Sequence, residues 1–245
     1  MSRYKTSDDI EAIKQSVVAA EAAMVAVIEY LKSNETPTSE EAKDILDSVL
    51  AKHNCHSPEN RIVAGGRKTH EPHYMGEGSI SSYEPIVIDI YPQSKETGFY
   101  ADMTRTVCVG EPPSQLKAMY DAVQAAHSAS VAMLGPGVGC SDVHMAAATV
   151  FEQYGYQTGG VGSEFTYAEG FVHSVGHGLG QDVHESPTLN AKSGDMLQIG
   201  DIITIEPGLY YKDIGGVRLE DLFVITENGY EQLTTLPLEL RVQHW

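Results

Sequence analysis

The sequence predicts an α+β fold built as two similar halves, and three observations predict it. Each half reads helix, helix, then two strand-like runs, with one carboxylate inside the first run and another near the second. The spacing agrees between the halves: Asp89 and Glu206 are 117 positions apart, and Asp102 and Glu220 are 118 apart. A chain of 245 residues with 42% hydrophobic side chains also has ample material for a core of this kind.

The elements follow in order. Ile10, Ile13, Val17, Ala20, Met24, Val27 and Leu31 recur at helical spacing and mark one buried face of a long helix. Thr6 and Asp9 have the spacing of a capping box at its start. Thr38 and Glu41 open a second helix that carries Ala42, Ile45, Leu46, Val49 and Leu50 on one side. Two strand-like runs follow, from Pro85 to Ile90 and from Phe99 to Val109. The second half begins with a helix from Ser114 to about Leu134, closed by Gly135-Pro136-Gly137, and a helix from Ser141 to about Tyr154, closed by Gly155. A glycine-rich stretch and a histidine-rich stretch then lead to the runs from Ile202 to Glu206 and from Val217 to Glu220. The helix starts Thr6 and Ser114 differ by 108 positions, so the histidine-bearing segment is an insertion in the second half.

Charge narrows the function classes. With 34 acidic and 16 basic side chains the net charge is −18, which argues against nucleic acid or an anionic membrane surface as a partner. No apolar run approaches the ~20 residues of a membrane span, and the residues after Met1 lack the apolar stretch of a secretory signal. Cys55, Cys108 and Cys140 are odd in number and lack metal-type pair spacing, so they read as small buried hydrophobes in a reducing cytoplasm.

Asp89 and Glu206 interrupt isoleucine- and valine-rich runs, where a lone carboxylate costs several kcal/mol unless it is paired or bound to a cation. Each taken alone is as well read as a satisfied structural acid; two at matched places favour a shared cation. Asp102 and Glu220 lie close to Arg105 and Arg218, which leaves a structural ion pair as the alternative for each. The most specific stretch is His173-Ser174-Val175-Gly176-His177-Gly178-Leu179-Gly180-Gln181-Asp182-Val183-His184. His173 and His177 have zincin-like spacing, but Gly176 and Gly178 disfavour the helix that reading needs. Glycines there instead allow close backbone approach. Imidazole beside four carboxylates is a donor set for Mn²⁺, Co²⁺, Fe²⁺ or Zn²⁺, with enough negative charge for two ions.

On these residues the sequence resembles the pita-bread metallopeptidases, which include methionine aminopeptidases, Xaa-Pro aminopeptidases and prolidases. The resemblance runs from the first helix to Leu222, and the five expected metal ligands occur in order: Asp89, Asp102, His177, Glu206 and Glu220. It implies that Asp102 and Glu220 bridge two divalent ions, manganese first among them, that Asp89 chelates one, and that His177 with Glu206 completes the other. It implies Glu206 as proton acceptor, His73 and His184 as catalytic histidines, and His173, Tyr210 and Arg218 as residues that bind substrate or shape the pocket. The runs Asp102-Met103-Thr104-Arg105-Thr106, His73-Tyr74 and Gly216-Val217-Arg218-Leu219-Glu220, with His173, resemble the Xaa-Pro branch. Two departures stand out. The segment Gln93 to Gly98 lengthens the link from Asp89 to Asp102, and the first helix starts almost at Met1, without the N-terminal domain usual in that branch. The expectation is one catalytic domain over residues 1–245, with a peptide substrate and a homodimer allowed. The rivals are a methionine aminopeptidase, another C–N hydrolase and a metal-free binding module, the last opposed by the mutual repulsion of uncompensated carboxylates.

Overall fold

The computed structural model describes residues 3–57, 59–159 and 169–243. The first half opens with α1 (Ser7–Ser33) and α2 (Ser39–Lys52). The predicted caps are present: the Thr6 hydroxyl accepts from the Asp9 amide while Asp9 reaches back to the Thr6 amide, and Thr38 accepts from the Glu41 amide. Short strands follow: β1 (Cys55–His56), β2 (Ile62–Gly65), β3 (Ile86–Ile90), β4 (Gln93–Ser94) and β5 (Met103–Val109), with a 3₁₀ turn at Arg67–His70. The second half opens with α3 (Ser114–Ala132) and α4 (Cys140–Gln153). It continues through β6 (Gly176–Gly178), β7 (Glu185–Leu189), β8 (Ile202–Ile205), β9 (Gly208–Tyr211), β10 (Gly215–Arg218) and β11 (Asp221–Thr226). The last strands are β12 (Gly229–Gln232) and β13 (Arg241–Val242).

The duplication is visible in the sheets. One sheet has the order β13-β5-β3-β2 and the other β12-β11-β8-β6-β7, so the antiparallel triplets β5-β3-β2 and β11-β8-β6 correspond. Each helix pair also packs on its own core cluster, and the first cluster takes in Ile202, Leu222 and Val224 of the second half's strands. Ile86, Ile88 and Ile90, alternate residues of β3, pack with Ile13, Val17, Met24 and Leu46 of the first two helices. Ile203, Ile205, Phe223 and Ile225 pack with Met119, Val123 and Phe151 of the second pair. Strand parity thus turns Val87 and Asp89 away from the first helices.

Several boundaries differ from the sequence reading. The second strand of the first half begins at Met103 rather than Phe99, because the inserted segment folds back as β4, which pairs with β1, and Ala101 bonds to the Pro92 carbonyl. The third helix ends at Ala132 rather than Leu134, and the fourth begins at Cys140 rather than Ser141. The run expected from Val217 to Glu220 is a strand only over Gly215–Arg218, and Glu206 lies just past β8. Much of the glycine-rich stretch after α4 lies outside the described residues.

Those last two shifts have one cause. The register that pairs Ile202 with Val224 and Ile205 with Asp221 continues through a Leu219 amide bond to the Pro207 carbonyl, and it resumes as Gly208 with Arg218. The ribbon β9–β10 is therefore a continuation of β8 and β11, with a break in the ladder where Glu206 faces Glu220.

Candidate metal centre

Local geometry explains how the carboxylates meet. A residue opposite another on an antiparallel pair has its Cβ within about 5 Å of its partner's, so the ladder break brings Glu206 and Glu220 together. From the other half, the Glu220 amide donates to the Thr104 carbonyl at 3.0 Å, which lays β5 against the start of β11. Asp102, two residues before Thr104, then joins them. Atoms of Asp102, His177 and Glu220 lie within 4.8 Å of one another, and all three side chains are buried. His177 Nε2 is 3.8 Å from Asp102 Oδ2 and 3.4 Å from Glu206 Oε1. Asp89 stands slightly apart, its Oδ2 2.5 Å from the Arg218 guanidinium.

The glycines around His177 allow this approach. A Cβ on Gly176 would lie 2.0 Å from the Thr204 carbonyl oxygen, and one on Gly178 would lie 2.3 Å from that of Ser186. His177 Nδ1 sits 3.1 Å from the Gly178 carbonyl, so the proton belongs on Nδ1 and Nε2 keeps its lone pair toward the carboxylates. Burial, reinforced by His184, pushes the ring down to about 4, so it is neutral at working pH. The His184 ring lies edge-on to it at 4.4 Å.

The donor set fits a divalent cation. Burial raises Asp102 well above the ordinary carboxylate range, with repulsion from Glu220, Asp89 and Glu206 added. Glu220 is raised likewise by burial and by Glu206 and Asp89. Glu206 is pushed up to about 8, chiefly by burial. Of the described residues lining the cavity, Arg218 alone carries a permanent positive charge, and it is engaged by Asp89 and Tyr210. Carboxylates packed this way call for cations, and oxygen donors with one imidazole suit first-row divalent ions.

Beside the carboxylates a polar relay has an assignable direction. Arg218 donates to the Tyr210 hydroxyl at 2.7 Å, and that hydroxyl is 2.9 Å from His173 Nε2. His173 Nδ1 is 2.7 Å from the Ser174 carbonyl, so Nδ1 donates there and Nε2 accepts from tyrosine. Burial, with the Arg218 charge, pushes His173 down to about 3 and keeps it neutral.

All of these groups border one cavity of about 1090 Å³, lined by Asp89, Asp102, His177, Glu206 and Glu220 together with His73, His173, His184 and Arg218. Tyr210 is the exception: it is fully buried and reaches the cavity only through His173 and Arg218. The sequence reading missed Thr104, whose hydroxyl donates to Glu220 Oε2 at 2.7 Å and lies 3.3 Å from Arg218 Nε. Strand parity was the available signal, since Asp102 and Thr104 share a face. It also missed Thr204, whose hydroxyl accepts the His177 amide at 3.1 Å.

Known proteins share the sequence pattern and the fold. The family model described as metallopeptidase family M24 matches residues 11–227. The chain belongs to metallopeptidase family M24. It is 31% identical to a Xaa-Pro dipeptidase of Pyrococcus furiosus over 238 residues, which is 96% of this chain and 64% of that relative. Among solved structures, a prolidase from Pyrococcus horikoshii superposes with a TM-score of 0.86 at 30% identity, over 97% of this chain and 65% of that one. An X-Pro aminopeptidase from Thermotoga maritima gives 0.87 at 29% identity, over 98% and 65%. The fold is thus the pita-bread fold of M24 prolidases, as the resemblance implied. The M24 chain described here spans about 63–65% of the length of the curated relatives it matches.

Proposed function

We propose that this chain carries a metal-dependent exopeptidase that hydrolyses the N-terminal peptide bond of peptides with proline in second position. The observation that carries the reading is the convergence of Asp89, Asp102, His177, Glu206 and Glu220 on one cavity with His73, His173 and His184, in a family whose named relatives include Xaa-Pro dipeptidases. Asp102, His177 and Glu220 would hold divalent ions, with Glu206 and Asp89 as the further ligands of a two-ion site; manganese would be the preferred ion, with cobalt, iron or zinc as alternatives. Ions bound there supply Lewis-acid polarisation of the scissile carbonyl and acidify water near neutral pH.

The chain's own residues do the rest. Glu206 accepts the proton of the attacking water, since its carboxylate borders the cavity and lies 3.4 Å from His177 Nε2 among the candidate ligands. His73 and His184, at the cavity wall, hydrogen-bond the substrate and the oxyanion that develops from its carbonyl. His173 has both nitrogens engaged, so it presents ring carbon rather than a donor to the cavity. A wall of that kind favours a tertiary amide with a compact ring, which has no N–H to satisfy. The three free, buried cysteines accord with a reducing compartment, and we place the protein in the cytoplasm.

The test is metal analysis combined with a panel of matched peptides. Met-Pro peptides should be cleaved with a higher kcat/KM than Met-Ala peptides, and N-terminally blocked peptides should resist. A preference for Met-Ala would move the chain to the methionine aminopeptidase branch.

A further inference from the structure

The segment before α1 does more than cap a helix. Arg3 donates through Nε and a terminal nitrogen to both oxygens of Asp201, at 2.7 and 2.6 Å, and to the Met196 carbonyl at 2.6 Å. Asp201 is 1% exposed and immediately precedes β8, the strand that leads to Glu206. Two residues on, the Lys5 ammonium reaches Glu185 Oε2 at 2.6 Å, in a pair where the lysine is 5% and the glutamate 12% exposed. The Lys5 amide also donates to the Gly200 carbonyl at 3.4 Å.

Glu185 is the hub of the turn that carries His184. Its Oε1 accepts the amides of Gln181 at 3.0 Å and Asp182 at 3.2 Å, while Oε2 takes the ammonium. A Cβ on Gly180 would fall 2.4 Å from Glu185 Oε1 and 2.7 Å from Lys5 Cε, so the turn closes tightly over the pair. Glu185 and His184 border the metal cavity, whereas Lys5 does not. Lys5 and Glu185 form a buried ion pair, and the same carboxylate holds the Gln181–Asp182 turn that leads to His184.

We propose that Lys5 is a positioning residue for His184: through Glu185 it fixes the Gln181–Asp182 turn and so sets the imidazole at the edge of the metal site. The strap from Arg3 to Lys5 thereby couples the start of the chain, which leads into the first half's helices, to the catalytic wall of the second half. The inference rests on the exopeptidase reading for its activity readout and on the fold alone for its structural one.

The test compares the parent chain with Lys5→Met and Glu185→Gln, all loaded with Mn²⁺. Hydrogen exchange at the Gln181 and Asp182 amides should quicken about tenfold or more in Lys5→Met, while protection in α1 and α3 is unchanged. On a Met-Pro peptide kcat should fall about tenfold or more, and by a larger factor than KM rises, with bound manganese close to the parent's, as expected when a group that acts mainly in the transition state is misplaced. Glu185→Gln keeps shape and an acceptor but loses the ion pair; it should shift both readouts in the same direction, and it carries the test if Lys5→Met does not fold. Unchanged exchange at the two amides, or a kcat within about twofold of the parent, would overturn the proposal. If the parent itself cleaves no Xaa-Pro peptide, the exopeptidase reading fails, and the exchange data alone decide the strap.

Discussion

Removing one charge from the carboxylate cluster should stabilise the protein in chelator, although it should impair the proposed activity. Glu206 has an ordinary value of 4.5 and is pushed up to about 8, first by burial, with Asp89 adding repulsion and Arg218 opposing it. A carboxyl raised in the folded state binds its proton more tightly there than in the unfolded chain. Its contribution is therefore fully present below about pH 4.5 and is lost as pH rises toward 8. At about 1.36 kcal/mol per unit, the loss reaches the order of a few kcal/mol by about pH 8. Glu206→Gln keeps the shape and cannot ionise. In chelator, urea unfolding at pH 5, 6, 7 and 8 should show the variant gaining on the parent as pH rises, by a few kcal/mol at pH 8. Saturating manganese should reverse the order, because the parent gains binding energy that the variant partly forfeits. A stability difference that is flat with pH, or a variant less stable than the parent in chelator at pH 8, would refute the argument that the cluster is a set of uncompensated carboxylates awaiting cations.

Four further outcomes follow from the structure. Chelation should abolish peptidase activity and added Mn²⁺ or Co²⁺ should restore it; loaded Glu206→Gln should turn over at least about 10²-fold more slowly, measured at saturating metal and substrate. His173→Ala removes the ring wall and leaves the Tyr210 hydroxyl without its acceptor, so the ratio of Met-Pro to Met-Ala kcat/KM should fall while bound metal, measured by atomic emission, stays constant. Thr6→Ala deletes one side of the capping box of α1 and should cost about 1 kcal/mol in urea unfolding without altering kcat.

Much of the architecture was legible in the linear chain because its signals are local. The helical repeat from Ile10 to Leu31 and the Thr6–Asp9 box need only neighbours within a turn, and both appear in α1 as read. The alternation of β3 around Asp89 is equally local, and parity alone turns that carboxylate off the first core. The candidate ligands were readable for a chemical reason: a carboxylate set among isoleucines, or an imidazole between glycines, is expensive without a partner. The strand ends were less legible. β5 starts four residues later than its apolar run because β4 folds back on β1, a pairing between segments nearly 40 positions apart.

The sequence by itself determined the elements, their duplicated order, the candidate metal-ligating residues and the strongly acidic net charge. Only the tertiary structure decided which groups meet. The ladder break that sets Glu206 against Glu220 depends on a register shared by four strands, and the bond from the Glu220 amide to the Thr104 carbonyl joins the two halves. The pairing of Arg218 with Asp89 spans 129 positions, that of Lys5 with Glu185 spans 180, and no local pattern distinguishes these partners from other charges on the chain. The physical reason is range. Periodicity and capping act over a few residues, whereas electrostatic partners deep in a fold are chosen by which backbone segments packing has already brought within about 4 Å.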